Sequence, residues 1–364
     1  MNSTCSAHKP LSEPHNYGRI VYESRDGLII KPRSIVWEEL FIGKIGFVED
    51  VTNTIAKKNP EFSGFTLPNL TFSRYDQVNY SIEKLVVSPT DYCSKIEIEK
   101  IGNTFALLIF FGITDLHQEN IFFGRDSKGK LIFTPIDVEI VLECPKTLGQ
   151  SGLVPDAAYP FYVSAISHLK KLVNNVGIET VAAPLVYGYL KTLSLLAESE
   201  SELNSLMLTF IDIQSTPIRV AIRKSKSYSN FLNGIYKQKE FQIPPIPSEQ
   251  AQLERRDIPY FFRFPNDETL YYYDNFLNPI KVPAKDVSGM ILLKKRIVSE
   301  NEITPNPHLN QIFRTGPLQI IRGLCYITRH FESKYKSTNI LSKYGMAYLW
   351  DEYFKIKLKC SLQN

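Results

Sequence analysis

The run FGITDLHQENIFFGRDSKGKLIFTPIDVEIVLE, from Phe111 to Glu143, constrains this chain more than any other stretch. An apolar segment breaks off into Asp-Leu-His-Gln-Glu-Asn, turns through GRDSKGK and re-enters as LIFTPIDVEI. A buried segment therefore ends in a polar loop and feeds a hairpin-sized excursion. The returning arm carries two acids, Asp137 and Glu139, inside a strand-like run. Turn chemistry alone accounts for Asp and Asn where apolar segments stop. A catalytic loop would use the same residue types, and spacing by itself leaves both readings open.

The flanking sequence gives this run a context. GRIVYESRDGLIIKPRS reads as two β-branched runs joined by a polar turn, a hairpin. SIVWEELFIGKIGFVEDVTNTIAKK has helical apolar spacing, and YSIEKLVVS reads as a further strand. SPTDYCSKIEIEKIGNTFALLIFFGI opens on a Ser/Thr/Asp cluster that suits a helix cap and continues as a buried helix. After Glu143 the pattern is mostly helical, with FQIPPIPSEQ as a proline-punctuated internal loop. These patterns predict an α+β protein, with a small sheet-bearing lobe over residues 1–90 and a larger helical one over 91–364.

Composition excludes several classes. With 43% hydrophobic and 22% charged residues the chain is globular, not disordered. A net charge of +4 is too weak to argue for nucleic acid, and would suit an acidic peptide or a phosphate-bearing ligand. Five scattered cysteines, without CxxC or Cys/His spacing, argue against a disulfide framework or a structural zinc. The polar N-terminus lacks a signal peptide's apolar core, and FALLIFFGI is too short to cross a bilayer. VAAPLVYGYLKTLSLLAESE carries Lys191 mid-run and ends in acids. The expectation is a protein of the reducing cytoplasm, without membrane or nucleic-acid partners.

The central spacing also reads as chemistry. Phosphoryl transfer to a hydroxyl needs a carboxylate that orients the alcohol and takes its proton, and oxygen ligands that hold Mg²⁺ against ATP. An Asp-x4-Asn loop, here Asp115 and Asn120, followed by an acid on the next strand, here Asp137, is the protein-kinase arrangement for those tasks. The kinase His-Arg lead-in and Asp-Phe-Gly are absent, replaced by TDLHQEN and DVE, and no glycine-rich phosphate loop or Walker A run occurs. Lys31, at the end of GLIIKPRS, is the candidate phosphate-gripping lysine on an early strand.

GITDLHQENIFF…LIFTPIDVEIVLE resembles the dehydratase domain of class II lanthipeptide synthetases, the LanM type, whose pattern is roughly GATDLHxEN…PVLIDLE. Four further stretches agree in the same order: EPHNYGRIV with GDxHxxGxxV, GLIIKPRS with LVYKPRS, RVAIRKSKSYSNFL with RxxxRxTxxYxxLL, and RRDIPYF with xGDIPYF. The resemblance spans Glu13 to Phe261. It implies an atypical bilobal kinase fold and a two-step reaction on Ser or Thr of a ribosomal precursor peptide. ATP phosphorylates the hydroxyl, and elimination of phosphate leaves dehydroalanine or dehydrobutyrine.

Carried over by position, Lys31, Asp115, His117, Asn120, Asp137 and Glu139 form the phosphorylation set, with Asn120, Asp137 and Glu139 on Mg²⁺. Glu13, His15, Arg219 and Ser225 form the elimination set. Glu13-Pro14-His15 stands where the family has Asp-x-His, and Ser225 where Thr is usual. His15 titrates in the range of a useful base, and Arg219 suits a departing phosphate. The implied partners are a precursor peptide, leader plus core, and a separate cyclase, since neither the family's N-terminal helical region nor a zinc-ligand cluster is expected here. The competing readings are a kinase of the same fold that stops at the phosphate, and an inactive pseudokinase that binds a precursor peptide.

Overall fold

The computed structural model describes residues 9–156, 163–212, 215–234, 244–288, 294–299 and 302–327. Cys5 and Cys360 lie outside the described residues; Cys93, Cys144 and Cys325 are in no disulfide. The chain is α+β, with every strand pairing antiparallel.

The first sheet is built from short strands: β1 (Lys9–Pro10), β2 (Tyr22–Glu23), β3 (Ile29–Lys31), β4 (Phe72–Arg74) and β5 (Tyr80–Ile82). They lie in the order β1-β2-β3-β5-β4. The expected hairpin is the β2–β3 pair, and Lys31 ends β3. The helical spacing after Ser34 resolves into two helices, α1 (Val36–Ile42) and α2 (Phe47–Lys58), rather than one. The break falls at Gly43 and Gly46, where helix propensity is lowest short of proline.

Helix α3 (Lys95–Phe110) starts at Ser94, just after the Ser/Thr/Asp cluster at 88–91 that the sequence offers as a cap. Ser94 Oγ accepts from Glu97 N at 3.3 Å, and Glu97 Oε2 accepts from Ser94 N at 2.8 Å, a capping box that satisfies two helix-end donors at once. Every residue from Ile101 to Phe110 is buried, so α3 is a core helix that is apolar all round. It delivers the chain into the polar loop. There the strands β6 (Ile121–Arg125) and β7 (Leu131–Pro135) form the hairpin seen in the sequence pattern, with Ile121 opposite Pro135.

The second half holds α4 (Leu148–Ser151), α5 (Lys170–Val176), α6 (Ile178–Glu198) and α7 (Glu200–Phe210). Helix α6 is long and apolar enough to cross a membrane, yet it is largely buried inside the fold against α3. The two approach so closely that a Cβ on Gly188 would meet Glu99 O at 2.2 Å, which only glycine permits.

A second sheet, not anticipated from the helical pattern, follows. Its strands are β8 (Ile218–Val220), then, after α8 (Ser225–Leu232) and α9 (Pro247–Glu254), β9 (Phe261–Arg263), β10 (Tyr271–Tyr273) and β11 (Pro279–Lys281), in the order β11-β10-β9-β8. Helices α10 (Ala284–Val287) and α11 (Leu309–Ile327) complete the described chain. One apolar cluster runs from Ile35 through α2, α3 and α6 to Ile327, so residues on both sides of position 90 share a core.

Candidate active site

The β6–β7 hairpin explains why Asn120 and Asp137 are far apart in sequence and adjacent in space. Asn120 precedes β6 and Asp137 follows β7, and Ile136 N donates to Asn120 O at 3.0 Å across the hairpin's open end. Asp126 closes the far end, its Oδ1 accepting from Lys128 N and Lys130 N, both at 2.9 Å. At the start of the loop, Gly112 has φ +65°, and a Cβ there would meet Glu143 O at 2.2 Å. The chain can only leave α3 this way with glycine at that position.

Asp115 itself has φ 61°, a left-handed backbone that Asp tolerates better than most residues and that recurs at functional loops. Asn120 Nδ2 donates to Asp115 O at 3.0 Å and to Asp115 Oδ2 at 3.3 Å. His117 Nδ1 accepts from Glu119 N at 3.2 Å, so the neutral ring carries its proton on Nε2, which lies 3.7 Å from Asp115 Oδ1. The loop thus holds Asp115 from two sides.

Asp137 and Glu139 alternate with Val138 and Ile140, which enter the core, so both acids face the same way. Lys31 Nζ donates to Asp137 Oδ1 at 2.9 Å and to Glu38 Oε1 at 3.0 Å. Arg33, two residues beyond Lys31, pairs with Glu38, Asp137 and Glu139. Burial pushes Asp137 upward, but Arg33 and then Lys31 overrule it and hold the carboxyl below its usual range. Burial disfavours charged Lys31 as well, and Asp137, then Glu38, more than offset it.

Arg219 reaches this cluster from β8. Its backbone N donates to Glu139 O at 2.8 Å, so the strand edge is stitched to the acidic segment. Its guanidinium pairs with Glu139, sits 5.4 Å from the Tyr260 ring centroid and is raised in pKa, burial being outweighed by Glu139 first. Tyr260 Oη donates to Glu139 Oε2 at 3.3 Å. Taken alone in the sequence, Arg219 suits an exposed helix face; it is instead a strand residue in the cleft.

His15 joins from the N-terminal turn. Its Nδ1 donates to Ile258 O at 2.8 Å, which leaves Nε2 as the acceptor. Burial, and then Arg219, lowers its pKa, so the ring is neutral at neutral pH, the form a base requires. His15 and Arg219 line a narrow cleft of about 60 Å³ together with Arg19, Arg33, Asp137 and Glu139.

Of the residues inferred from sequence, His15, Asp137, Glu139 and Arg219 line this cleft, Lys31 pairs with Asp137, and Asp115, His117 and Asn120 cluster with one another in the loop before β6. Glu13 and Ser225 join neither group. Glu13 is hydrogen-bonded to Ser229 on α8, and Ser225 is exposed in that helix's first turn; neither lines the cleft. Sequence reasoning missed Arg19, Arg33, Glu38, Asp257 and Tyr260. All but Glu38 lie inside the runs quoted for the resemblance, and Arg33 sits at the i+2 position that shares Lys31's face.

The turn that carries His15 is clamped from below. Asn16, Tyr17 and Gly18 all have positive φ, and Asp257, 1% exposed, accepts from Tyr17 N and Gly18 N, both at 2.8 Å. Asp257→Ala strands both donors and should cost about 1–3 kcal/mol in denaturant unfolding. A loss under about 0.5 kcal/mol, the range of ordinary surface substitutions, would mean the turn is held by other bonds.

For a divalent cation, Asp137 and Asn120 offer hard oxygens, Asp137 Oδ1 being shared with Lys31 and Arg33, while both Glu139 oxygens are engaged by Arg33, Arg219 and Tyr260. Among the described residues no three His, Cys, Asp or Glu side chains are placed to hold a metal. Two protein oxygens fit Mg²⁺ that arrives with phosphate oxygens and water, its usual mode, but not a cage made by protein alone. No family model matches the chain, and no curated protein matches it.

Proposed function

We propose that the chain is an ATP- and Mg²⁺-dependent dehydratase of Ser or Thr in a peptide, of the LanM type, on a bilobal kinase-like fold. The observation that carries it is the Lys31–Asp137 contact, 2.9 Å, which joins the end of β3 to the segment after the hairpin 106 residues away. A phosphate-gripping lysine and a metal-binding acid must converge in this way, and neither needs the other for turn chemistry.

Asp115 takes the hydroxyl proton as the oxygen attacks the γ-phosphorus of ATP, giving the phosphoester and ADP. Asp137 and Asn120 would hold Mg²⁺, which would supply charge neutralisation to the phosphates. In the second step His15 Nε2 accepts the Cα proton while the Cβ–O bond breaks. The electron pair of the C–H bond becomes the new double bond, and Arg219 receives the departing phosphate. The peptide partner, a leader with a Ser/Thr-containing core, is part of the same proposal, as are a separate cyclase and a cytoplasmic setting.

A kinase that stops at the phosphoester is the second reading, favoured by Glu13 and Ser225 standing outside the cleft. Mass spectrometry of a precursor Ser/Thr peptide incubated with Mg²⁺ and ATP separates the two. The expected product is lighter by one water per site. A product heavier by one phosphate, with every partner present, would establish the kinase instead, and an unchanged peptide with no ATP consumed would leave only a binding role.

A further inference from the structure

Arg19 is set apart from the other cations of the cleft by its surroundings. Lys31, Arg33 and Arg219 are each matched by a carboxylate among Glu38, Asp137 and Glu139. Arg19 lines the same cleft, yet its Nη1 is buried and has no hydrogen-bond partner among the described residues. Buried donors left unmade are rare in native structures, and a charged one more so.

Its backbone is fixed in the turn that carries His15. Arg19 N donates to His15 O at 2.8 Å and His15 N to Arg19 O at 2.9 Å, closing the turn that Asp257 clamps. A buried guanidinium nitrogen without a partner, in a cleft whose carboxylates Asp137 and Glu139 are already paired with Lys31, Arg33 and Arg219, suits an anion that arrives with the ligand. The neighbouring groups His15 and Arg219 suit a tetrahedral anion with several acceptor oxygens better than a single carboxylate.

We propose that Arg19 is a phosphate-binding residue of this cleft, its Nη1 edge donating to an oxygen of a phosphate dianion, either a phosphomonoester or free phosphate. The proposal deepens the phosphoryl-transfer reading of the same cleft and rests on it for the ligand's origin. Its test uses inorganic phosphate, so it can succeed or fail separately.

The full chain is titrated calorimetrically with inorganic phosphate at mildly alkaline pH, where the dianion predominates. Arg19→Gln removes one charge-assisted donor and should weaken binding about 10- to 100-fold. Arg19→Lys keeps the charge but loses the fork and should fall between. Phosphoserine and Mg-ATP are titrated in parallel. Equal losses for phosphate and phosphoserine assign Arg19 to the ester and the leaving phosphate, and a loss for ATP as well extends its contact to the transferred group.

Wild-type protein that binds no phosphate, or Arg19→Gln that binds it as tightly as wild type, overturns the proposal. If Arg19→Gln does not fold by circular dichroism, Arg19→Lys decides, and unchanged binding there is equally fatal. Phosphate binding that depends on Arg19, with no modification of any peptide, would leave this assignment standing and sink the dehydratase reading.

Discussion

Asp137→Asn is expected to abolish ATP turnover while leaving the chain folded. The substitution keeps shape and an acceptor oxygen but removes the negative charge that Lys31 and Arg33 share. A neutral amide holds Mg²⁺ far more weakly than a carboxylate, so the metal no longer bridges protein and phosphate. Folding is spared because the amide keeps an acceptor for Lys31 and Arg33, and Glu38 and Glu139 still face the two cations. ADP release and thermal unfolding, measured on the same preparation, separate the effects. ADP formation within a few-fold of wild type would remove Asp137 from the metal site, and a collapse of the thermal transition would make its role structural.

What could be seen in the sequence follows from how local each feature is. The Ser94 capping box, the β2–β3 hairpin and the β6–β7 hairpin each depend on residues within a few positions of one another; both hairpins are where the pattern places them, and the cap lies a few residues after the expected cluster. Asn120 and Asp137 flank the two ends of one hairpin, and Asp115 is bonded to Asn120, so their proximity also followed from local chain geometry. The second sheet did not. Strands of three residues cannot show a period of two convincingly, and β8 runs into α8 so soon that RVAIRKSKSYSNFL reads as one helix.

Arg33 and Tyr260 were hidden for a different reason. Their importance arises only when distant segments converge on Glu139, and nothing about an arginine after a strand or a tyrosine in an apolar run announces that. Glu38 looks like an ordinary first-turn acid of α1, favourable there for the helix dipole. Only its complete burial beneath Lys31 and Arg33 shows that it holds the cations in place.

Arg219→Ala should split the two half-reactions. The guanidinium offers a forked donor pair to a leaving phosphate, and removing one such charge-stabilising group typically costs about 10²–10³ in rate. Its other contact, Glu139, is not thereby abandoned: Arg33 Nε remains 3.2 Å from Glu139 Oε2 and Tyr260 Oη 3.3 Å away. The Lys31–Asp137 pair is untouched, so phosphate transfer should continue while elimination slows and phosphopeptide accumulates. The separation has a physical limit, because Arg219 also feels Asp115 and Asp137 electrostatically. A modest slowing of transfer is therefore expected, far smaller than the loss in Asp115→Ala, which should give neither phosphopeptide nor dehydrated product. Quenched-flow mass spectrometry of both variants reads the two steps directly. If Arg219→Ala blocks phosphate transfer as completely as Asp115→Ala, Arg219 belongs to the first step, and the base at His15 would then need a different partner for the departing phosphate.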